Sequence, residues 1–574
     1  MLRVLPLVAF AFIASSAAVA QSSIERTLPS GIEASLQALI DEAEVPGLSV
    51  AYLDGGDVAW DGAFGVANTE TNAPVTPSTV FEAASLTKPF VAYLALRQAE
   101  AGALDLDAPL WDVLPYERLE HDERARQITA RLALAHTPGL PNWGGTPLQL
   151  NAAPGERWGY SGEGYVYLQR VLEETTGLSL DALAHRDVFG PLGMEHSSLV
   201  WEPAYDSLSA VGHGLIGGTR QKNRPSEANG ASSLHTTARD YGRFMAHLLS
   251  DEAADLLALA RVETADVAAW GPEETYSYVF WGLGWGLQNG PRGTALWHWG
   301  DNGVFRAYAV LYPDSRDGLV YFANSTRGHR MAEQLVDLFF DDTAWALRWL
   351  DSGSYDDPGF QSRTRLARAF AEDGAEAGLR LYSSLRDAST LDERSFDRTM
   401  WVHSNRGQGD VVTAALAGIV REEPTAQRWR SLGDAQVEAG DYATALASYE
   451  SAIALDDDLA ENLAGAMAWL RDGIAAEAAP GTLSDAELRA FVGTYGPRMI
   501  RFEAGALIYA REGATSATRL RPLTETMFAL ESSTTFRLRF ERDASGAGTH
   551  LTGLYADGRT DVSERSDGRA APAE

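Results

Sequence analysis

The chain has 574 residues, a formal net charge of −32, no cysteine, and a composition 45% hydrophobic, 22% charged and 10% aromatic. Such a length outgrows one core and such a composition folds, so roughly two to four domains are expected rather than bulk disorder. The acidic surface repels phosphate backbones and anionic head groups, which excludes a nucleic-acid partner; the lack of cysteine excludes disulfides, a thiolate nucleophile and a lipid-bearing cysteine.

In chain order, Met1-Leu2-Arg3, the apolar run Val4 to Ile13 and the small-residue exit Ala18-Val19-Ala20 read as an export signal, residues 1–20, too short for a membrane span. The expected location is periplasmic or secreted, in a bacterium, with no stable membrane span. Gly47 to Ala67 alternates around Gly55-Gly56 and reads as a β-hairpin. Leu86 to Ala101 carries helical spacing and stops at Gly102, with Pro89 tolerated in the first turn. Helices with loops fill Arg131 to Phe189, including Val166 to Thr176 after a glycine-rich turn at Tyr160 to Gly164. From Tyr278 to Asn324 the period changes to strands: Val279 to Leu287, Ala295 to Gly300, Phe305 to Pro313 and Gly318 to Ala323. Strands joined by turns with no helix between them predict an antiparallel sheet, closed by a helix over Met331 to Leu350, so that residues near 50 and near 300 share one sheet.

Residues 358–478 are rich in Ala, Leu, Arg and Glu. Trp429, Leu432, Gly433, Gly440, Tyr442, Ala445, Tyr449 and Ala452 fall where a tetratricopeptide repeat places its small and large packing residues, with Gly374 to Leu385 and Gly407 to Glu422 as weaker copies. A spacer and a surface for a protein or peptide partner are both compatible with one clear repeat. Residues 483–566 alternate in short apolar runs between turns and predict a small antiparallel β-domain; residues 567–574 are expected to be a disordered tail.

Ser85 precedes Lys88 by three residues at a helix start, so one turn puts both on the same face. Lysine occurs only at 88 and 222, every other fixed cation being arginine. Arginine keeps its proton in proteins, whereas a desolvated lysine gives it up, so Lys88 is suited to be the base for a Ser85 nucleophile. Tyr160, in its glycine-flanked turn, is the candidate proton shuttle to a leaving group. His298 lies in a strand between Trp297 and Trp299, and Gly300 allows close approach to the strand end. Metal-assisted hydrolysis finds no His-Glu-x-x-His, and the 11 histidines are scattered, so neither a metal site nor a cofactor is expected.

Ser85-x-x-Lys88, Tyr160-Ser-Gly162 and His298-x-Gly300, in that order, resemble the serine β-lactamase and penicillin-binding-protein superfamily. The likeness extends over about residues 30 to 350 through Leu134-Ala-His136-Thr-Pro-Gly-Leu140, Pro191-Leu-Gly-Met194, Ser232-Ser-Leu-His-Thr-Thr237 before Asp240, and Trp281-Gly-Leu-Gly-Trp285, and is nearest to the branch holding class C β-lactamases, D-aminopeptidases, D-Ala-D-Ala carboxypeptidases and related esterases. The resemblance implies an α/β catalytic domain, an antiparallel sheet flanked by helices plus a helical subdomain, over residues 24–352, followed by the helical region 358–478 and the β-domain 483–566. It implies that Ser85 is acylated, that Lys88 shares the base role, that Tyr160 relays the proton, that His298 stands where relatives carry Lys or His, and that the amides of Ser85 and Asp301 form the oxyanion hole. Trp299, Gly300 and Gly162 are the expected substrate-binding positions. Relatives that cleave β-lactams carry Asn at the position of Gly162, and glycine lacks that amide. The expectation is therefore a serine hydrolase for an ester, amide or D-amino-acid peptide, a small-molecule or peptide substrate, with poor β-lactam turnover. The competing reading is a retired scaffold that binds peptides or proteins through its helical region.

Overall fold

The computed structural model describes residue 28 and residues 30–267, 270–391, 394–478, 481–514 and 516–566. The expected export signal and tail lie outside the described residues. The chain divides between Tyr355 and Asp356 into two compact units.

The first unit is built on a nine-stranded sheet among the described residues. Its long members are β1 (Gly47–Asp54) and β2 (Asp57–Asn68), with β3 (Ala73–Pro74) at the edge beyond β2. Two short strands, β4 (Phe81–Glu82) and β5 (His235–Thr236), pair with each other apart from this sheet. Returning to it, the chain forms β6 (Ala265–Asp266), β7 (Val279–Trp281), β8 (Gly286–Gly290), β9 (Gly293–Asp301), β10 (Arg306–Tyr312) and β11 (Asp317–Ala323). The order is β3-β2-β1-β11-β10-β9-β8-β7-β6 and every neighbouring pair is antiparallel. Strand β1 pairs with β11, Val50 opposite Tyr321, so the segments near residues 50 and 300 meet as expected.

Alternation along these strands separates two cores. Leu48, Val50 and Tyr52 of β1, Tyr308, Val310 and Tyr312 of β10, and Leu319 and Tyr321 of β11 enter one cluster with Ile32, Leu36, Ile40, Leu335 and Leu347. Ala51, Leu53, Ala307, Ala309, Leu311, Val320 and Phe322 enter the other, with residues of the helices Thr87–Glu100, Gly162–Thr176 and Ala238–Leu248. Both faces are therefore covered, and β1 is buried along almost its whole length. The helix Thr87–Glu100 is itself nearly all buried, which explains why its apolar residues surround it rather than form a stripe.

Three expected elements differ. The run Val279 to Leu287 is two strands, because a turn closed by the Gly282 N–H donating to Trp285 O at 2.9 Å interrupts it. Met331 to Leu350 is not one helix: the α-helices Ala332–Asp337 and Trp345–Trp349 flank Asp341-Asp342-Thr343, where the Asp342 carboxylate accepts from its neighbour's backbone N–H and competes with the helix. The helix expected from Val166 begins at Gly162, with the Ser161 hydroxyl accepting from Gly164 N as its cap.

In the second unit, helices from Pro358–Glu372 to Leu459–Ala478 precede eight strands in a meander. Tyr495 of the first strand bridges to Arg565 beyond the last, so the sheet is a near-closed barrel around Phe491, Tyr495, Leu507, Phe528, Leu538 and Phe540. The helices Ala426–Ala439 and Tyr442–Leu455 pack closely: a Cβ on Gly433 would fall 2.5 Å from the Tyr449 ring. Val437, Tyr449, Met467 and Leu470 share a core with Leu523, Met527 and Leu554, which joins the helices to the barrel.

Candidate active site

The chain leaves β4 through a 3₁₀ turn, Ala84–Leu86, with Ala84 in the left-handed region at φ 50°. Thr87 holds this turn: its hydroxyl donates to Ala84 O at 2.6 Å and accepts from Leu234 N at 3.0 Å. Ala83 N also donates to Leu234 O, at 2.8 Å, so the turn is bolted to the segment leading into β5. Within this buried stretch Ser85 is the half-exposed residue. Its hydroxyl sits in front of the helix Thr87–Glu100, where the positive end of the dipole favours developing negative charge.

Lys88 is completely buried. Its Nζ donates to Ser85 Oγ at 3.1 Å and to Ala231 O at 2.9 Å, and lies 4.6 Å from the centre of the Tyr160 ring. Among the described residues its recorded polar partners are neutral, so no carboxylate offsets desolvation, and burial pulls the amine down to about 7. A fraction of order one half is then neutral near pH 7 and able to accept a proton.

Tyr160 closes the site from the loop before the helix Gly162–Thr176. Burial raises its phenol well above the ordinary value, while the neighbouring Ser85 hydroxyl opposes that rise, so the group stays protonated. His136 brackets it. The His136 carbonyl accepts from Gly159 N at 2.8 Å, its Nδ1 accepts from Ser161 N at 3.0 Å, and its ring lies 4.4 Å from the Tyr160 ring. His136 is wholly buried at φ 56°, a conformation in which histidine is enriched over most residues. Sequence reading used it only as part of a motif; its bonds join residues 25 apart, which periodicity does not show.

His298 is also wholly buried, and burial, with the Lys88 charge second, lowers its ring to about 3. It is neutral at ordinary pH. Its Nδ1–H donates to Trp299 O at 2.8 Å, which leaves Nε2 as an acceptor without a partner among the described residues. The Tyr160 hydroxyl is buried beside the Ser85 hydroxyl, and its ring lies 6.1 Å from that of His298. The Trp299 ring is half-buried and packs on Tyr160 at 4.7 Å.

Strand β9 reaches the nucleophile turn at Gly300, where a Cβ would lie 2.3 Å from Ala83 O. Asp301, the next residue, pairs through its carboxylate with Arg306 and accepts from Gly303 N at 2.7 Å. His329 Nε2–H donates to Gly300 O at 3.0 Å, and Asn302 Nδ2 donates at 2.8 Å to the buried Glu82 carboxylate, three residues before Ser85. These bonds tie the end of β9 to the turn. Gly300→Ala is expected to push the two apart and lower kcat about a hundredfold with the fold retained, checked by ester kinetics beside circular dichroism; wild-type kcat would show the contact to be slack.

Gly162 N donates to Asn142 Oδ1 at 3.0 Å, and a Cβ at 162 would meet Asn142 O at 2.7 Å and the Trp143 ring at 2.9 Å. The space of a side chain at this position is thus filled from another loop. Sequence reading identified the glycine but not its neighbours. No helix among the described residues is long and apolar enough to cross a membrane.

A family model described as Beta-lactamase matches residues 32–338. Penicillin-binding protein 4 of Amycolatopsis lactamdurans is 28% identical over 333 residues, which cover 53% of this chain and 86% of that protein. Penicillin-binding protein 4* of Bacillus subtilis is 26% identical over 316 residues, 48% of this chain and 67% of that protein. A solved class C beta-lactamase aligns with a TM-score of 0.46 at 20% identity, over 53% of this chain and 94% of its own.

Proposed function

Since the chain belongs to the serine β-lactamase and penicillin-binding-protein superfamily, we propose that it is an exported serine hydrolase that forms an acyl-enzyme on Ser85 from an ester, an amide or a D-amino-acid peptide, with poor turnover of β-lactams. The observation that carries this reading is a wholly buried amine, lowered to about 7, in hydrogen-bond contact with a half-exposed serine hydroxyl.

In the first half-reaction Ser85 Oγ attacks the substrate carbonyl carbon as neutral Lys88 Nζ takes the hydroxyl proton. Charge developing on the carbonyl oxygen is met by the amides of Ser85 and Asp301 and by the helix terminus. The bond to the leaving group then breaks and the proton reaches the leaving atom through Tyr160, whose raised phenol holds it until that moment. In the second half-reaction a water gives its proton to the Lys88–Tyr160 pair and attacks the acyl carbon, releasing the acid and restoring the Ser85 hydroxyl. Neutral His298 places Nε2 as an acceptor for a substrate donor.

Gly162 supports the preference against β-lactams: with no side chain there, it lacks the amide that β-lactam-cleaving relatives carry. The match to the Beta-lactamase family model supports hydrolysis as the reaction type. The test is a panel of p-nitrophenyl esters, D-amino-acid amides and a chromogenic cephalosporin, with Ser85→Ala as control. Ester or D-amino-acid amide kcat/KM is expected to exceed that of the cephalosporin by about a hundredfold or more, since an unmatched polar contact costs that much; the reverse order would overturn the substrate preference. Absence of any Ser85-dependent turnover would favour the scaffold reading.

A further inference from the structure

Between Leu140 and Leu148 a short loop carries Trp143, which is 52% exposed. Arg118 grips the loop: Nη2 donates to Gly144 O at 2.8 Å and Gly145 O at 3.1 Å, and Nε donates to Thr146 Oγ1 at 3.2 Å. The same guanidinium makes a two-pronged pair with the buried Glu163 carboxylate, at 2.7 and 3.0 Å, and that carboxylate accepts from Gly144 N at 3.0 Å. Asn142 completes the attachment, its Oδ1 accepting from Gly162 N at 3.0 Å and its carbonyl from Glu163 N at 3.1 Å.

These bonds seat the loop on the first residues of the helix that follows Tyr160, and they place the Trp143 ring 2.9 Å from where a Cβ of residue 162 would be. The glycine is what admits the ring. A side chain at 162 would meet Asn142 O, a backbone atom, at 2.7 Å and displace the loop. The position two residues beyond the proton-relaying tyrosine is thereby bordered by an indole, with the Asn142 carboxamide oxygen already engaged by Gly162 N.

We infer that Trp143 is a specificity-determining wall for the acyl half of the substrate, and that the acyl group it selects is apolar, an alkyl or aryl chain, rather than one carrying an amide beside the reacting carbonyl. This rests on the reading of Ser85 as the acylated residue. An ordered indole contributes apolar area without the entropy cost of being fixed on binding, so the gain appears with each methylene laid against it. Asn142 and Arg118 act through the loop as positioning residues.

The experiment compares p-nitrophenyl butyrate, p-nitrophenyl acetate and the p-nitrophenyl ester of N-acetylglycine on wild type, Trp143→Ala and Trp143→Phe, with fluorophosphonate labelling of Ser85 in each. Wild type is expected to prefer butyrate to both others. Trp143→Ala is expected to lower the butyrate-to-acetate ratio of kcat/KM about tenfold, mostly through KM, while Trp143→Phe keeps most of it. A ratio in Trp143→Ala equal to that of wild type, or a wild-type preference for the N-acetylglycine ester, overturns the inference while Ser85 labelling keeps the hydrolase reading standing. Wild-type protein that is neither labelled nor active on any ester overturns both.

Discussion

Ser85→Ala is expected to lower kcat on every substrate the wild type turns over by roughly 10⁴-fold or more, leaving only the rate that binding and the remaining dipoles supply. The magnitude follows from the position of the residue. Ser85 is the half-exposed point of a turn whose other members are buried, and its hydroxyl accepts from Lys88 Nζ. The alanine removes one oxygen from a half-exposed site, so thermal unfolding is expected to stay near wild type while turnover is lost. A variant that retained more than a tenth of wild-type kcat would place the nucleophile elsewhere.

Lys88→Arg is expected to be nearly as damaging, a loss of about 10³-fold, although the formal charge is kept. A guanidinium does not surrender its proton, and its fixed charge would be buried among neutral partners, the Ala231 carbonyl and the Ser85 hydroxyl. Lys88→Met, which keeps the length and drops the charge, separates the two effects: it is expected to be equally inactive but to unfold at or above the wild-type temperature, because an amine held below its ordinary value is disfavoured by burial. The pH dependence has a definite sign. Lys88 works when neutral, so kcat/KM rises with pH through about 7 and levels off above it. His298 is lowered to about 3, His136 lies well below its ordinary value and Tyr160 well above its own, so these neighbours do not titrate across that limb. Wild-type-like activity in Lys88→Arg, or a flat profile from about pH 5 to 9, would contradict the base role.

The pairing of Ser85 with Lys88 was legible because one helical turn converts a three-residue spacing into contact, and because one of only two lysines among many arginines is chemically distinct. The closure of the sheet was legible from where alternation stopped and resumed, and β1 meets β11 as that pattern required. The glycine at 300 was read as a point of close approach, and Ala83 fills that space. What escaped was tertiary. The break at Asp341-Asp342-Thr343 depends on a side chain bonding its own backbone in competition with a helix that the apolar spacing permits. The helix start at Gly162 was masked by two glycines that look like a turn until Ser161 caps them. His136 and Asn142 accept from Ser161 and Gly162 across 25 and 20 residues, and Trp143 borders Gly162, contacts that hydrophobic period does not encode. Gly162 itself was read as a missing contact; what the sequence did not show is that a side chain there would meet Asn142 O and the Trp143 ring.

The most direct measurement is the rate of fluorophosphonate labelling as a function of pH, with the adduct located by peptide mapping. A neutral Lys88 activating Ser85 predicts a single adduct on the peptide that contains Ser85, formed at a rate that climbs through a pKa near 7. An adduct on another residue, or a rate independent of pH across that range, would contradict it.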